Sequence, residues 1–211
     1  MCFSATASFI AGVSLSVLGV ATVKKAKRKA EIPFAMIPLL FGIQQIVEGM
    51  LWLSFRFNAP LLNVTMTYLF TLFSHVLWPM YVPFSIGLME NIAWRKKVLS
   101  VFQATGIAVS LYLLYFIVRF PLTSEVHQHI VYVLPHVREQ PVLEFYLAAT
   151  CAAPLFSSHK LINIFGVLAL LLFIAAYWFY TVAVFSVWCF FAAILSAVIY
   201  LHFKFQAKAN Y

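Results

Sequence analysis

The chain has 211 residues, of which 64% are hydrophobic, 18% are aromatic and only 9% are charged, and its mean hydropathy is +0.95. A water-soluble domain carries roughly a quarter of its residues as charged side chains, so this composition excludes an ordinary soluble protein and indicates a lipid bilayer as the solvent. The formal net charge of +8 does not indicate a nucleic-acid partner, because the basic residues form short clusters between long apolar runs, and lipid headgroups are the expected partner.

Seven apolar runs come close to the length of about 20 residues that a membrane-spanning helix needs. From these runs we predict an all-α integral membrane bundle of seven transmembrane helices in one domain, residues 1–211. The predicted helices lie at about 4–23, 33–55, 65–88, 98–119, 142–157, 161–179 and 182–203, the fifth being the shortest. The outer loop at about 120–141 is too polar to span and is expected to form a short surface helix or a lid.

The distribution of Lys and Arg predicts the orientation, because positive charge beside a spanning helix is retained in the cytoplasm. Under this layout, eleven of the fourteen basic residues fall on one side, and only Arg56, Arg119 and Arg138 fall on the other. The N-terminus is therefore expected outside and the C-terminus in the cytoplasm. The first helix has no positive residue before its apolar core, which is typical of a retained anchor rather than of a secretory signal.

Helix 2 contains FGIQQIVEGMLWL, in which Gln44, Gln45 and Glu48 interrupt an apolar stretch. An ionised carboxylate inside the membrane costs several kcal/mol, so Glu48 is predicted to be protonated, paired or turned toward a wet cavity. At about 1.5 Å of rise per residue, Glu48, His75 and Cys189 lie roughly 20 Å from the cytoplasmic ends of their helices, in the outer half of the membrane. We therefore predict a polar pocket in which His75 is the partner of Glu48.

Two serines extend the predicted pocket. Ser110 on helix 4 reaches the same depth, and Ser74 adjoins His75. A simpler role stays open for the two glutamines and Ser74, because buried Gln and Ser side chains commonly cross-link membrane helices at about 1 kcal/mol per contact.

A thiolate, an imidazole and a carboxylate together suit Zn²⁺, so Glu48, His75 and Cys189 form a candidate metal set, although the close ligand spacing of a zinc motif is absent. Cys2, just before the first predicted helix, is a candidate nucleophile or ligand at the outer mouth of the pocket. A weaker candidate site for Zn²⁺, Cu²⁺ or Ni²⁺ lies in the outer loop, and the alternative is that its members are solvated loop histidines. Its members are His127, His129 and His136.

Four pieces of the sequence, MCFSATASF, QQIVEGMLW, SHVLWPMYVP and SVWCFFAA, resemble the marker motifs of an uncharacterised family of small bacterial polytopic membrane proteins that open with MCFSATASF. The resemblance covers most of the chain and implies a multi-helical protein, expected in the bacterial cytoplasmic membrane, without implying a reaction. Its motifs contain Cys2, Gln45, Glu48, His75, Trp78, Trp188 and Cys189. Trp78 and Trp188 are therefore added to the predicted pocket.

Three functions stay open. The first is an intramembrane enzyme or zinc protein, in which Glu48, His75 and Cys2 act on a lipid or small apolar substrate. The second is a transporter or channel for a small solute, ion or proton, with Glu48 and His75 titrating along its path. The third is a sensor or assembly partner without chemistry of its own. Against the second, the sequence gives no second charged layer in the cytoplasmic half, where a path through the membrane should also be polar.

Overall fold

The computed structural model describes residues 4–126, 129–135, 139–180 and 183–209. The helices in chain order are α1 (Ala5–Val23), α2 (Lys29–Arg56), α3 (Pro60–Met89), α4 (Ala93–Arg119), α5 (Pro141–Phe156), α6 (Lys160–Phe179) and α7 (Val184–Phe205). In this described part of the chain, all of them except α5 are long and apolar enough to cross a membrane. The chain is therefore an all-α integral membrane protein, as predicted.

The observed helices agree closely with the predicted ones, and the main difference is that α2, α3 and α4 begin four or five residues earlier. The short fifth helix is irregular. Its α-helical part covers Glu139–Leu147 and so begins two residues before the apolar stretch that starts at Pro141. The helix is then π-helical over Ala148–Ala152 and 3₁₀-helical over Ala153–Phe156. Six of the seven predicted spans thus have spanning length, and a membrane crossing by α5 stays a prediction.

The two ends of the bundle differ in charge. We define the basic end as the end at which α1 and α3 finish and α2, α4 and α6 begin, because most of the Lys and Arg residues lie there. It corresponds to the predicted cytoplasmic side, and this orientation stays a prediction. The other end is called the opposite end.

A β-hairpin lies at the opposite end, where the sequence led us to expect a short surface helix or a lid. Strands β1 (Thr123–Val126) and β2 (Ile130–Val133) pair antiparallel, with Thr123 across from Val133. The expected helix is wrong for this segment, because its β-branched and aromatic residues favour strand pairing. Tyr132 stacks on Phe70 of α3 at 4.4 Å between ring centroids, which fixes the hairpin on the bundle.

Helices α1 and α2 pack with their backbones in close contact. A Cβ atom on Gly19 would lie 2.4 Å from the Leu39 backbone nitrogen, and one on Gly42 would lie 2.6 Å from the Ser16 hydroxyl. Small residues allow such approaches between membrane helices, where dispersion contacts supply much of the association energy. This packing holds the polar face of α2 toward the remaining helices.

Prolines in α3 create a second close contact, with α4. Pro83 has no N–H, so the carbonyl of Pro79 lacks its usual donor four residues on. Gly106 of α4 packs directly on this carbonyl, since a Cβ atom on Gly106 would lie only 1.9 Å from the Pro79 oxygen. Only glycine fits at this position.

Candidate functional site

The Glu48 side chain lies inside the bundle and is 0% exposed, which confirms the predicted inward orientation. It belongs to the buried face of α2, together with Gln44, Gln45 and Leu51. The hydroxyl of Ser186 on α7 donates to Glu48 Oε1 at 2.6 Å. Sequence reasoning left Ser186 out of the site, although it precedes Cys189 by three residues and so shares a helix face with it.

Gln44 lies close to several other predicted pocket residues. The indole N–H of Trp78 donates to Gln44 Oε1 at 2.7 Å, and the Trp78 ring stacks on Phe41 at 3.9 Å. Gln44 and Glu48 both lie close enough to the Cys189 thiol to act on it electrostatically. The structure thus brings Gln44, Glu48, Trp78 and Cys189 together.

Several buried polar atoms of this layer have no hydrogen-bond partner among the described residues. They include both side-chain polar atoms of Gln45 and the amide nitrogen of Gln44. The same holds, in the same half of the bundle, for Ser8 Oγ, Trp52 Nε1 and Thr71 Oγ1. Buried polar groups in native proteins nearly always have a partner, which water or a bound molecule supplies where the protein does not. The layer around Glu48 is therefore suited to water or a small polar solute.

His75 lies in a π-helical segment of α3, Leu72–Leu77, and is buried. Its Nδ1 is 2.7 Å from the Ser74 hydroxyl, and its ring packs against Phe185 at 4.5 Å. The predicted hydrogen bond between His75 and Glu48 is not among those of the described residues. Counting depth along an ideal α-helix misses the wider π turn, which changes the direction in which the side chain points.

Hydroxyl groups from α4 and α5 hold this irregular part of α3. Pro79 has no N–H to donate to the carbonyl of Ser74 five residues earlier, and the Tyr146 hydroxyl donates to that carbonyl instead. The predicted pocket residue Ser110 donates to the carbonyl of Val76 at 2.7 Å. The role of Tyr146 was not predicted from the sequence. Pro79 indicates that a carbonyl of α3 needs another donor, but it does not indicate which helix supplies that donor.

A cavity of about 30 Å³ lies beside the Gln44 group. Its wall includes Phe41, Trp78, Tyr146, Trp188, Cys189 and Ala192. The Trp188 ring is fixed by a hydrogen bond from its Nε1 to the Ala169 carbonyl, at 3.0 Å. The cavity is too small for a lipid, and most of its wall is apolar.

Among the described residues, the predicted zinc ligands do not form a metal-binding group, and the predicted ligand Cys2 lies outside them. No group of three or more His, Cys, Asp or Glu side chains could hold a metal ion, within the residues that the structure describes. Glu48 bonds to Ser186, Cys189 faces Gln44, and His75 bonds to Ser74, so the three ligands face different partners.

Three predicted site residues, Cys2, His127 and His136, lie outside the described residues. Their assigned roles stay predictions, and so does the outer-loop metal site. His129 is described, and its ring packs edge-on against Tyr180 at 5.1 Å between centroids.

Comparison with known families adds one finding. The sequence pattern of DUF6629, described as a family of unknown function, matches residues 1–211. The chain belongs to this family. The match agrees with the uncharacterised family that the motifs predicted. No curated protein and no solved structure matches the chain.

Sequence reasoning missed a second polar layer, at the basic end of this DUF6629 protein. Glu90 follows α3 and is 2% exposed. Its carboxylate accepts from the backbone N–H groups of Asn91, Ile92 and Ser158 at 3.0, 2.9 and 2.7 Å. Burial by itself would raise the pKa of Glu90, but these hydrogen bonds outweigh it and hold the pKa below its usual value of 4.5.

Glu31 at the start of α2 makes a matching arrangement. It accepts from the backbone N–H groups of Lys27 and Arg28 at 2.9 and 3.2 Å, and from Arg28 Nε at 2.8 Å. Arg95 of α4 completes the layer by donating to the carbonyl of Ser157 at 2.6 Å. One feature of the sequence could have indicated this layer. The chain has only six acidic residues, and two of them lie beside basic clusters.

Proposed function

We propose that this DUF6629 protein carries protons across the membrane, with Glu48 as the group that binds the proton inside the bundle. The observation that carries the proposal is the Glu48 carboxyl, buried between spanning helices and bonded to the Ser186 hydroxyl of another helix. Ionisable residues inside a membrane bundle are rare and commonly mark ion or proton pathways.

The partner of Glu48 suits a proton-binding role. A serine hydroxyl both donates and accepts, so Ser186 can donate to an ionised carboxylate and, after rotating, accept from a protonated one. The pair stays hydrogen-bonded in both protonation states. A backbone N–H group, by contrast, only donates.

The surroundings of Glu48 support a path for protons. The amide atoms of Gln44 and Gln45 that lack partners among the described residues are able to bind water next to the carboxyl. Phe41, on the cavity wall, lies roughly 10 Å from Glu48 toward the basic end, at 1.5 Å per residue. Glu31 begins the second polar layer further along the same helix. This layer supplies charged groups at the basic end, where a proton path would meet water.

The other two functions have less support. A zinc enzyme needs a ligand set, and Glu48, His75 and Cys189 do not provide one. A cavity of about 30 Å³ does not admit a lipid headgroup or acyl chain. A sensor without chemistry does not account for a carboxyl group placed where burial is costly.

Proton flux in liposomes tests the proposal. Purified protein is reconstituted with a pH-sensitive dye inside the vesicles, and a potassium diffusion potential drives proton entry. We expect flux well above that of empty liposomes, and we expect Glu48→Gln to reduce it to the background leak. The matched control is Glu144→Gln, which removes an exposed carboxyl on α5 and should leave the flux unchanged. Equal flux in the wild type and Glu48→Gln would contradict the proposal, as would wild-type flux no greater than the leak.

A further inference from the structure

Two histidine side chains meet at the basic end, and sequence reasoning gave neither a role. His202 lies near the end of α7, and His159 directly precedes α6. Their ring centroids are 5.1 Å apart, with an angle of 75° between the ring planes. His202 is 7% exposed, and its Nε2 has no hydrogen-bond partner among the described residues. His159 is half-buried, so one ring is inside the bundle and the other is at its edge.

Aromatic rings enclose His202 on two sides. Phe34 of α2 packs edge-on against it at 6.3 Å, and Phe203 of α7 packs at 5.1 Å between centroids. The His159 ring is the third ring that contacts it. An imidazole nitrogen that is buried without a partner is costly, so this nitrogen is a candidate to bind a proton or a water molecule.

The charges that face the pair come from three other segments. Glu31 acts on both rings, whereas Glu90 and Arg28 act on His159. The oxygens of both carboxylates already accept backbone N–H groups, so these carboxylates remain ionised without taking a proton from the histidines. Burial lowers the pKa of His159 below its usual value of 6.5, and the attraction of Glu90 opposes that effect.

We propose that His202 and His159 form a proton-binding pair that connects the interior of the bundle to water at the basic end. Its role as the terminus of a proton path rests on the proposed function of Glu48. Neutral His202 takes a proton on its unprotonated ring nitrogen and becomes imidazolium. It passes one proton to the unprotonated nitrogen of His159, directly or through water, and returns to the neutral state. His159 then releases a proton to bulk water, and both rings are again neutral.

A proton is a better match for this pair than a metal ion. No third His, Cys, Asp or Glu side chain completes a metal site there, as far as the described residues extend. Two imidazoles alone give fewer than the three protein ligands that zinc sites use. Two rings 5.1 Å apart also bind protons in a coupled way, because a charge on one opposes a charge on the other.

Histidine titration tests the pair without requiring transport. The full-length protein, labelled with ¹⁵N-histidine, is titrated in nanodiscs from about pH 8 to pH 3, so that the range covers a strongly buried imidazole. We expect two protonation steps separated by about one pH unit or more, and we expect a single step to remain in His159→Gln. Glu144→Gln, which removes an exposed carboxyl on α5, is the control and should leave both steps unchanged. A His202 signal that does not respond to pH, or that titrates identically in His159→Gln, would overturn the pair.

Proton flux then separates this proposal from the function proposed for Glu48. We expect His202→Gln to reduce flux about tenfold or more, and His159→Gln, at the half-buried position, gives the same test if the first variant fails to fold. Coupled titration without Glu48-dependent flux would support the pair and overturn the proposed function. Glu48-dependent flux that neither variant changes would overturn the pair and leave the proposed function in place.

Discussion

Buried carboxylates occupy two regions of this molecule, and their partners differ in kind. At the basic end, Glu31 and Glu90 accept from backbone N–H groups of neighbouring loops. Within the bundle, Glu48 accepts from the side-chain hydroxyl of Ser186. A backbone N–H only donates and so favours the ionised carboxylate, whereas a hydroxyl serves either protonation state. The same residue type can therefore hold loops together in one region and exchange a proton in another.

The largest expected effect on stability comes from Glu90→Ala. The substitution leaves the N–H groups of Asn91, Ile92 and Ser158 without their acceptor, at about 1–3 kcal/mol for each group that stays unsatisfied. We expect a loss of roughly 3 kcal/mol or more, measured by thermal unfolding in detergent. A loss below about 1 kcal/mol would show that water replaces the carboxylate, and the contrast between the two regions would fail.

Glu31→Gln should have a smaller effect. The amide oxygen still accepts from the N–H groups of Lys27 and Arg28, but the bond from Arg28 Nε is lost. Because the Arg28 side chain is 47% exposed, its ion pair contributes little in water, and we expect a loss of about 1 kcal/mol. The same unfolding assay measures it, with Glu144→Gln as the unchanged control. A loss as large as that of Glu90→Ala would mean that the charge of Glu31 matters more than its loop contacts.

Lowering the pH should reduce the stability of the folded protein in two stages, and both stages arise from groups at the basic end. The pKa of His159 is lowered in the folded state, so the unfolded chain binds more protons and stability falls as the pH drops through 6.5. The pKa of Glu90 is also lowered, so its contribution is present above pH 4.5 and is lost as the pH falls through the folded-state value. Melting temperatures at pH 7.5, 5.5 and 4 measure both stages. His159→Gln should reduce the first stage alone, and an unchanged first stage would contradict its assignment.

Glu48→Gln should have the smallest effect on stability. The amide oxygen still accepts from Ser186, and an ionisable group leaves the membrane interior, so we expect a change within about 1 kcal/mol. The unfolding assay and the flux assay are run on the same preparation. Lost flux with retained stability would show that Glu48 exchanges protons and is not needed for the fold. A large loss of stability would show that Glu48, like Glu90, has a structural role.

The sequence was sufficient to predict the spanning helices, because length and apolarity decide them. It also placed Glu48 and Cys189 at one depth, and in the structure Glu48 is close enough to Cys189 to act on its thiol electrostatically. The partner of His75 was not predictable, because it depends on the π turn at Leu72–Leu77 and so on how α3 is rotated. Glu31 and Glu90 escaped notice for another reason: their partners are backbone N–H groups, which nearly every residue carries and no motif identifies.

The contact of Gly106 with the Pro79 carbonyl limits which helices can shift. Because there is no space between the two backbones, α3 and α4 are expected to move together as one rigid unit. The hydrogen bond from the Ser110 hydroxyl to α3 is a second contact between them. Any change of access to Glu48 therefore requires movement of other helices relative to this pair, and the hydrogen bond from Ser186 to Glu48 joins two of them, α7 and α2.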